Sequence, residues 1–254
     1  MNLPKRIYFL MPLFWLSVPV FAGFNFSLDS NKLKYSIAIG PSWTAKDNAE
    51  MTISPYETDS VVTQHASRGG LFKLGLGYDF SDPTWQNRNF FNALLIELNL
   101  YHQSTTLTGD VWQYQDASFN TYSFTAPLSS TRLMLDIKPN LYTWHQSSFY
   151  PILGLGASWN NLDSFNETAI DPEVDSNSAL RLTGHTRVSF AYDLGVGMAW
   201  SITKNLSTSL EYLYTNFGTA STSSVSSSEA TLSSGPQFSL ASQSLLFGLT
   251  CQLA

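Results

Sequence analysis

Residues 187–217 read RVSFAYDLGVGMAWSITKNLSTSLEYLYTNF, and this stretch decides the fold. Its first half has a large apolar residue at every second position: Val188, Phe190, Tyr192, Leu194, Val196, Met198 and Trp200. After the turn Ser201–Asn205 the alternation resumes and continues to Tyr214. A period of two is typical of β-strands, and two such runs joined by a short turn predict an antiparallel hairpin.

The face opposite the apolar row carries small residues and one charge: Ser189, Ala191, Asp193, Gly195, Gly197 and Ala199. The exposed face of a soluble β-sandwich is usually rich in Lys and Glu, whereas small and singly charged residues suit a narrow, crowded interior. A continuous apolar row suits contact with lipid. We therefore expect the large side chains to point out of the protein; a core strand of a soluble sandwich is the alternative.

The same alternation recurs in six further segments: Leu33–Trp43, Gly70–Phe80, Phe90–His102, Ser130–Tyr142, Phe149–Trp159 and Ser242–Leu253. With the hairpin they make eight strands of about ten residues, the length that a tilted strand needs to cross a bilayer. The connections between them are alternately long and short. The long ones are predicted as extracellular loops at residues 44–69, 103–129, 160–185 and 218–241.

Long loops on one side and tight turns on the other are typical of outer-membrane barrels. Because no open sheet edge can face lipid, the sheet must close on itself. The predicted fold is all-β: a closed, antiparallel, eight-stranded up-and-down transmembrane β-barrel with both termini at the short-turn side. The serine- and threonine-rich loops suit surface exposure and contact with a host, or are plain solvated connectors.

Composition excludes several other classes of protein. After residue 22 no apolar run approaches the ~20 residues of a transmembrane helix. The net charge is −6 without a basic stripe, which argues against nucleic acid as a partner. The single cysteine, Cys251, excludes an internal disulfide and a cysteine-based metal cluster. The carboxylates of the third loop lack the spacing of a calcium loop, so neither a metal nor a cofactor is predicted.

The first 22 residues have the features of a secretory signal peptide. Lys5 and Arg6 are followed by an apolar centre, and Val20-Phe21-Ala22 is a small-x-small cleavage site before Gly23. Export and cleavage are therefore predicted, and residues 23–254 are expected to form the barrel.

The strand pattern also predicts two sets of side chains with defined positions. Five cations and five anions should point inward and pair, because an unpaired ion in the lumen is costly: Lys34, Lys73, Asp79, Glu97, Arg132, Asp136, Lys138, Arg187, Asp193 and Glu211. Aromatic residues should form girdles at the two membrane interfaces: Trp43, Tyr78, Phe80, Trp144, Trp159, Trp200, Tyr212 and Tyr214.

Four short glycine- and aromatic-containing motifs carry a family resemblance: PILGLG at 151–156, GVGMAW at 195–200, LEYLY at 210–214 and LFGL at 246–249. With them the chain resembles the OmpA-like transmembrane barrels, which include the opacity-type surface proteins. The resemblance implies a monomer in the bacterial outer membrane, surrounded by lipid and lipopolysaccharide and inserted by the barrel-assembly machinery. The chain departs from the family by ending in Gln252-Leu253-Ala254 rather than an aromatic residue, and no peptidoglycan-binding domain follows the barrel.

Three functions are compatible with this reading. The first is a structural and surface-interaction role, in adhesion or host contact through the loops. The second is a small pore through the charge network, unless that network is a static plug of salt bridges. The third is a lipid A-modifying enzyme with His102 or His185 at the outer rim; no recognisable catalytic grouping accompanies them, so an enzyme is not predicted.

Overall fold

The computed structural model describes residues 29–54, 57–63, 66–81, 90–171, 173–174, 178–226 and 232–252. The predicted signal peptide lies outside the described residues. These residues contain ten strands: β1 (Leu33–Lys46), β2 (Ala49–Ser54), β3 (Glu57–Val62), β4 (Ser67–Asp79), β5 (Phe90–Trp112), β6 (Asn120–Trp144), β7 (Ser147–Ala169), β8 (Arg181–Ser201), β9 (Leu206–Ser226) and β10 (Gln237–Gln252). Single turns of 3-10 helix occur at Ser30–Lys32, Gln113–Gln115 and Ala117–Phe119. No helix in the described ranges is long and apolar enough to span a membrane.

Eight of the strands form a closed antiparallel ring in the order β1-β4-β5-β6-β7-β8-β9-β10. The ring closes at β1, where Ile37 pairs with Leu74 of β4 on one side and with Leu249 of β10 on the other. Lys34 pairs with Gln252, so the start of β1 and the end of β10 both lie at the short-turn end of the barrel. The predicted eight-stranded barrel is confirmed.

Large apolar side chains cover the outside of the ring. Leu194 is 49% exposed and Phe247 is 56% exposed, as the predicted orientation requires. We call this outer zone the apolar belt; its members include Ile37, Ile39, Leu74, Leu98, Leu133, Leu135, Leu153, Leu155, Phe190, Val196, Leu210 and Leu249. Such a surface is stable in hydrocarbon, whereas in water it would be a large exposed apolar patch.

The strands are much longer than the sequence predicts. Most of residues 103–129, expected as a loop, continue β5 and β6, and β6 alone has 25 residues. In this added part the apolar residues are on the inner face and the polar residues on the outer face: Tyr122, Phe124, Ala126 and Leu128 are buried and point inward. Beyond the belt the surroundings are water, so the hydrophobic effect drives apolar side chains to the inside. We call this part of the wall the upper barrel.

The β2–β3 hairpin takes over the upper wall where β1 and β4 end. Val61 of β3 pairs with Val111 of β5. On the other edge, Thr52 of β2 donates its N–H to the carbonyl oxygen of Ser234, just before β10, at 3.2 Å. The hairpin therefore bridges β5 and the β9–β10 connection. The sequence predicts a polar loop over residues 44–69, so the hairpin differs from the expectation.

Two prolines interrupt the ladder between β6 and β7. The pairing is regular from Leu128 to Ile137 and resumes at Tyr142, which pairs with Phe149. Pro139 and Pro151 lie inside this irregular stretch, one in each strand. Because proline has no N–H to donate, it is tolerated in a closed barrel at such a break.

A second irregularity lies between β8 and β9. The ladder is interrupted above the Tyr192–Asn216 pair. Here the carbonyl oxygen of Phe217 accepts hydrogen bonds from Ser158 Oγ and Asn160 Nδ2, each at 2.7 Å. Side chains of β7 thus satisfy a backbone carbonyl of β9 that the neighbouring strand β8 leaves unpaired.

Gly218 permits this interruption of the β8–β9 ladder, which we call the β8–β9 seam. Its replacement is expected to destabilise the barrel. Its φ is +80°, and an added Cβ would lie 2.3 Å from Cβ of Ser189. We expect Gly218→Ala to cost about 1–3 kcal/mol, from left-handed strain and overpacking. The change in the free energy of unfolding is measured by urea unfolding followed by tryptophan fluorescence. Gly70→Ala is the control, since a Cβ there meets nothing within 4 Å; equal stability of both variants would contradict the expectation.

Candidate functional site: the barrel interior and its long-loop end

Four buried charged side chains form a closed ion network at the level of the apolar belt. Lys138 Nζ lies 2.6 Å from Glu97 Oε2 and 2.7 Å from Glu211 Oε1. Lys73 Nζ lies 3.1 Å from Glu211 Oε2 and 3.5 Å from Glu97 Oε2. The remaining carboxylate lone pairs are used as well, because Tyr150 OH donates to Glu211 Oε1 at 3.0 Å. Two positive and two negative charges cancel, which makes their burial tolerable.

A second buried layer surrounds Arg132. Its guanidinium carbon lies 5.5 Å from the ring centroid of Tyr101 and 5.0 Å from that of Phe217. Tyr101 OH and Asn99 Nδ2 both donate to Asp136 Oδ2, at 2.7 and 2.6 Å. Cation–π contacts of this kind are strongest where water is excluded. Asp193, also buried, lies two strands away from Asp136, because Gly154 of β7 pairs with both residues.

The other predicted interior charges lie outside these two layers. Lys34 Nζ and Asp79 Oδ2 form a partly exposed pair at 2.6 Å near the short-turn end. Arg187 is not part of the network: it lies at the β8–β9 seam, partly exposed, and donates to Gln237 Oε1 at 2.8 Å. Instead of pairing with an acid, as expected, it lies beside the irregular part of the β8–β9 ladder.

The lumen is open at one end and filled at the other. A cavity of about 160 Å³ extends from the short-turn end to the ion network and is lined among others by Lys34, Asp79, Lys138, Tyr150 and Glu211. Beyond the two charged layers, the described side chains inside the upper barrel are mainly apolar and buried. This upper core includes Met51, Val61, Leu107, Val111, Phe124, Leu128, Leu162, Phe165, Leu182, Phe238 and Leu240.

Aromatic rings form the centre of the upper core. Phe124 stacks on Phe165 with centroids 5.0 Å apart, and on Phe238 at 6.2 Å. Lys46 Nζ lies over two of these rings, 4.1 Å from the centroid of Phe124 and 4.3 Å from that of Phe238. It has no hydrogen-bond acceptor among the described residues.

Three titratable groups of the upper barrel are buried away from water. Burial lowers the pKa of Lys46 to about 7. Burial raises the pKa of Glu167 to about 7, against the opposing effect of the hydrogen bond from the Leu180 N–H. Burial likewise raises the pKa of Asp59, against the effect of the Tyr114 N–H that donates to it. The low pKa of Lys46 and the raised pKa values of both acids identify an interior that disfavours charge.

Replacing Lys46 by an apolar residue is therefore expected to stabilise the protein. Below about pH 7 the ammonium is charged in the folded and unfolded chain alike, so the cost of burying it is present in full. Between about 7 and 10.5 the folded protein has lost this proton while the unfolded chain retains it, and stability rises with pH. We expect Lys46→Met to add about 1–3 kcal/mol at pH 6, the cost of a buried donor without a partner.

Urea unfolding at pH 6 and pH 9 measures this effect, and the gain should shrink at the higher pH. Lys34→Met is the matched control, since it removes a lysine that has an ion pair. A Lys46→Met protein that is less stable than the parent at pH 6 would show that the contacts with Phe124 and Phe238 outweigh desolvation.

The aromatic residues predicted as girdles lie on the outer surface. Toward the upper barrel, Trp43, Trp159 and Tyr212 are exposed, and the rings of Tyr192 and Tyr214 lie 6.5 Å apart. Toward the short-turn end, Trp144 is exposed and Tyr78 meets Phe80 edge to face at 4.8 Å. Trp200, the second-to-last residue of β8, is half-buried.

The histidines considered for catalysis lie on the outer surface. His102 is exposed, with Nδ1 3.1 Å from Thr131 Oγ1, and His185 is exposed opposite Leu162 of β7. His65 and Asp175 lie outside the described residues. In the described part of the chain, no group of three or more His, Cys, Asp or Glu residues could hold a metal ion.

The upper core was not predicted from the sequence. Its signal is present in the printed sequence, since Tyr122, Phe124, Ala126 and Leu128 alternate with Ser123, Thr125 and Pro127. The abundance of serine and threonine on the outward positions concealed it.

Comparison with known proteins agrees with this architecture. The family model for the outer membrane protein beta-barrel domain matches residues 13–238. Among solved structures, the outer membrane protease OmpT of Escherichia coli is 9% identical, with 89% of this chain and 99% of that chain covered and a TM-score of 0.53. Neisserial surface protein A is 11% identical, with coverage of 87% and 97% and a TM-score of 0.44.

The attachment invasion locus protein Ail of Yersinia pestis, solved with the heparin analogue sucrose octasulfate, is 13% identical, with coverage of 86% and 99% and a TM-score of 0.37. No curated protein sequence matches the chain significantly. The likeness to OmpT concerns the fold alone. The family match covers most of the chain and agrees with the closed ring and the apolar belt; the chain belongs to the family of outer-membrane β-barrel proteins.

Proposed function

We propose that this outer-membrane protein is a sealed, non-catalytic surface barrel that contacts macromolecules outside the cell through its upper barrel. In the family orientation the short turns face the periplasm and the upper barrel rises from the outer leaflet. We expect the apolar belt to be surrounded by lipid and lipopolysaccharide, and the protein to act as a monomer after insertion by the barrel-assembly machinery.

The single observation that carries this proposal is the packed upper barrel. Anchoring in the membrane needs strands of about ten residues, yet β5 to β9 each have 21 or more. The added length has its own apolar core, so it holds a polar outer surface rigidly above the lipid. A preorganised surface of this kind loses little entropy when it binds a partner.

A pore is the second candidate, and the periplasmic cavity below the ion network is the observation in its favour. Passage would require ions to cross Lys138 and Glu211, then Arg132, and then the stacked rings around Phe124. Each of these layers is buried and its members are in contact with one another. We therefore propose that the lumen is a static plug, as eight strands enclose room for side chains and little more.

Two measurements test the surface-contact function. Bacteria of a non-adherent strain that display the protein should be retained on an epithelial monolayer, or on a lawn of the parent strain, in greater numbers than the parent strain itself. The purified protein should show no unitary conductance steps in a planar bilayer. Absence of retention on both surfaces contradicts the surface role, and stable conductance steps that Lys138→Ala alters would favour the pore.

The enzyme alternative has its own test. Purified protein is incubated with labelled lipopolysaccharide, and we expect no release of acyl chains. Release that His102→Ala or His185→Ala abolishes would overturn the non-catalytic part of the proposal.

A further inference from the structure

The connection between β5 and β6 exposes two aromatic side chains to water. We call residues Gln113–Phe119 the tip. Tyr114 is 60% exposed and Phe119 is 48% exposed, and their rings meet edge to face with centroids 6.0 Å apart. Ile170, whose N–H donates to the carbonyl oxygen of Thr121, is also exposed at this rim. The other described apolar side chains of the upper barrel are mostly buried, so this patch is an exception to its pattern.

The aromatic pair is held in place by hydrogen bonds to the hairpin and within the tip. The Tyr114 N–H donates to Oδ1 of the buried Asp59 in β3, at 2.9 Å. The Ser118 N–H donates to Asp116 Oδ1 at 2.8 Å. Tyr114 and Gln115 both have left-handed backbones, with φ of 55° and 61°. Non-glycine residues keep that conformation only where their surroundings impose it, so the rings are presented on a defined scaffold.

The surroundings of the aromatic pair are negatively charged. Residues 57–63 and 110–122, which form the tip and the strand ends beside it, include Glu57, Asp110 and Asp116 besides the buried Asp59, and no lysine or arginine. Asp116 is fully exposed, and its hydrogen bonds from Ser118 lower its pKa, so it is ionised at neutral pH. The faces of aromatic rings are themselves electronegative and attract cations.

We propose that the tip docks a basic polypeptide segment, with an arginine or lysine side chain placed against the Tyr114–Phe119 pair and close to Asp116. This inference rests on the proposed surface-contact function and specifies the chemistry of its partner. A guanidinium group stacks on aromatic rings and pairs with carboxylates, so both features of the tip favour the same ligand. A second copy of this chain is disfavoured, because its own tip carries the same negative charge.

The test uses the full-length protein in phosphatidylcholine nanodiscs and a fluorescent peptide of alternating arginine and alanine. Fluorescence anisotropy should show binding that weakens in about 0.5 M salt. The double variant Tyr114→Ala/Phe119→Ala should bind about tenfold more weakly, and Asp116→Asn severalfold more weakly. Asparagine keeps an oxygen that can accept from Ser118. Asp47→Asn, an exposed carboxylate outside the tip, should bind as the parent does.

A peptide with citrulline in place of arginine separates charge recognition from simple apolar docking. Equal binding of both peptides, or unchanged binding by the double variant, overturns the proposal. Folding of every variant is checked by the shift of its band on gels run with and without boiling. If the parent protein mediates cell retention but does not bind the arginine peptide, the tip inference fails and the surface function stands; if retention also fails, both fail.

Discussion

Glu211→Gln is expected to lower the free energy of unfolding by about 3–5 kcal/mol. The change leaves Lys73 and Lys138 buried with Glu97 as their one remaining ion-pair partner, and the two cations then repel each other. It also removes the charge that Tyr150 OH hydrogen-bonds. The measurement is urea unfolding of protein refolded into lipid vesicles, followed by tryptophan fluorescence and by band shift.

Asp79→Asn is the matched control for this prediction. Its partner Lys34 is partly exposed, so water can solvate the lysine when the carboxylate is neutralised, and the loss should be below about 1 kcal/mol. The double variant Lys138→Met/Glu211→Gln keeps the balanced pair Lys73–Glu97 and should be less destabilised than the sum of its single variants. Additive losses would contradict a coupled network.

Phe124→Ala is expected to cost about 3–5 kcal/mol, because it removes the ring that both Phe165 and Phe238 stack on. The loss should be confined largely to the upper barrel, since the apolar belt is stabilised separately by lipid. On intact bacteria, added protease should cleave the extracellular part of the variant faster than that of the parent. The membrane-embedded fragment should remain protected.

Phe190→Ala makes the same substitution on the lipid-facing surface and is the comparison for Phe124→Ala. Phe190 is 65% exposed and belongs to the apolar belt, where lipid chains fill the space that a smaller residue leaves. We expect a smaller loss than for Phe124→Ala and no change in protease sensitivity, because only the transfer of the ring from water to hydrocarbon is lost and no cavity is left. Equal effects of the two substitutions would mean that the upper core does not stabilise the extracellular wall.

The ion network shows how far the alternation pattern reaches. The alternation of side chains alone places Lys73, Glu97, Lys138 and Glu211 inside, because each lies between apolar neighbours that point outward. It does not say which cation meets which anion, since that depends on the register of β4, β5, β6 and β9 around the ring. Arg187 shows a limit of the pattern: it was expected to pair with an acid of the network, yet it lies partly exposed beside the irregular part of the β8–β9 ladder and donates to Gln237.

The upper barrel marks a different limit. The strands were predicted to end where the outward positions turn polar, and the segments beyond were expected as loops. Polar residues on the outer face mark where contact with the membrane ends, however, and the strand itself continues beyond them. Because the solvent changes from lipid to water at that level, Phe124 and Leu128 point inward while Leu133 and Leu135, lower in the same strand, lie on the outer face.

By itself, the sequence determined the closed eight-stranded barrel, its lipid-facing surface and its charged interior, because the period of two and the lack of free edges in lipid leave one solution. Export with cleavage before Gly23 stays a prediction. Only the tertiary structure decided the rest: the hairpin that completes the upper wall, the core around Phe124, and the exposed pair Tyr114 and Phe119. These depend on contacts between strands far apart in the chain, which local alternation does not encode.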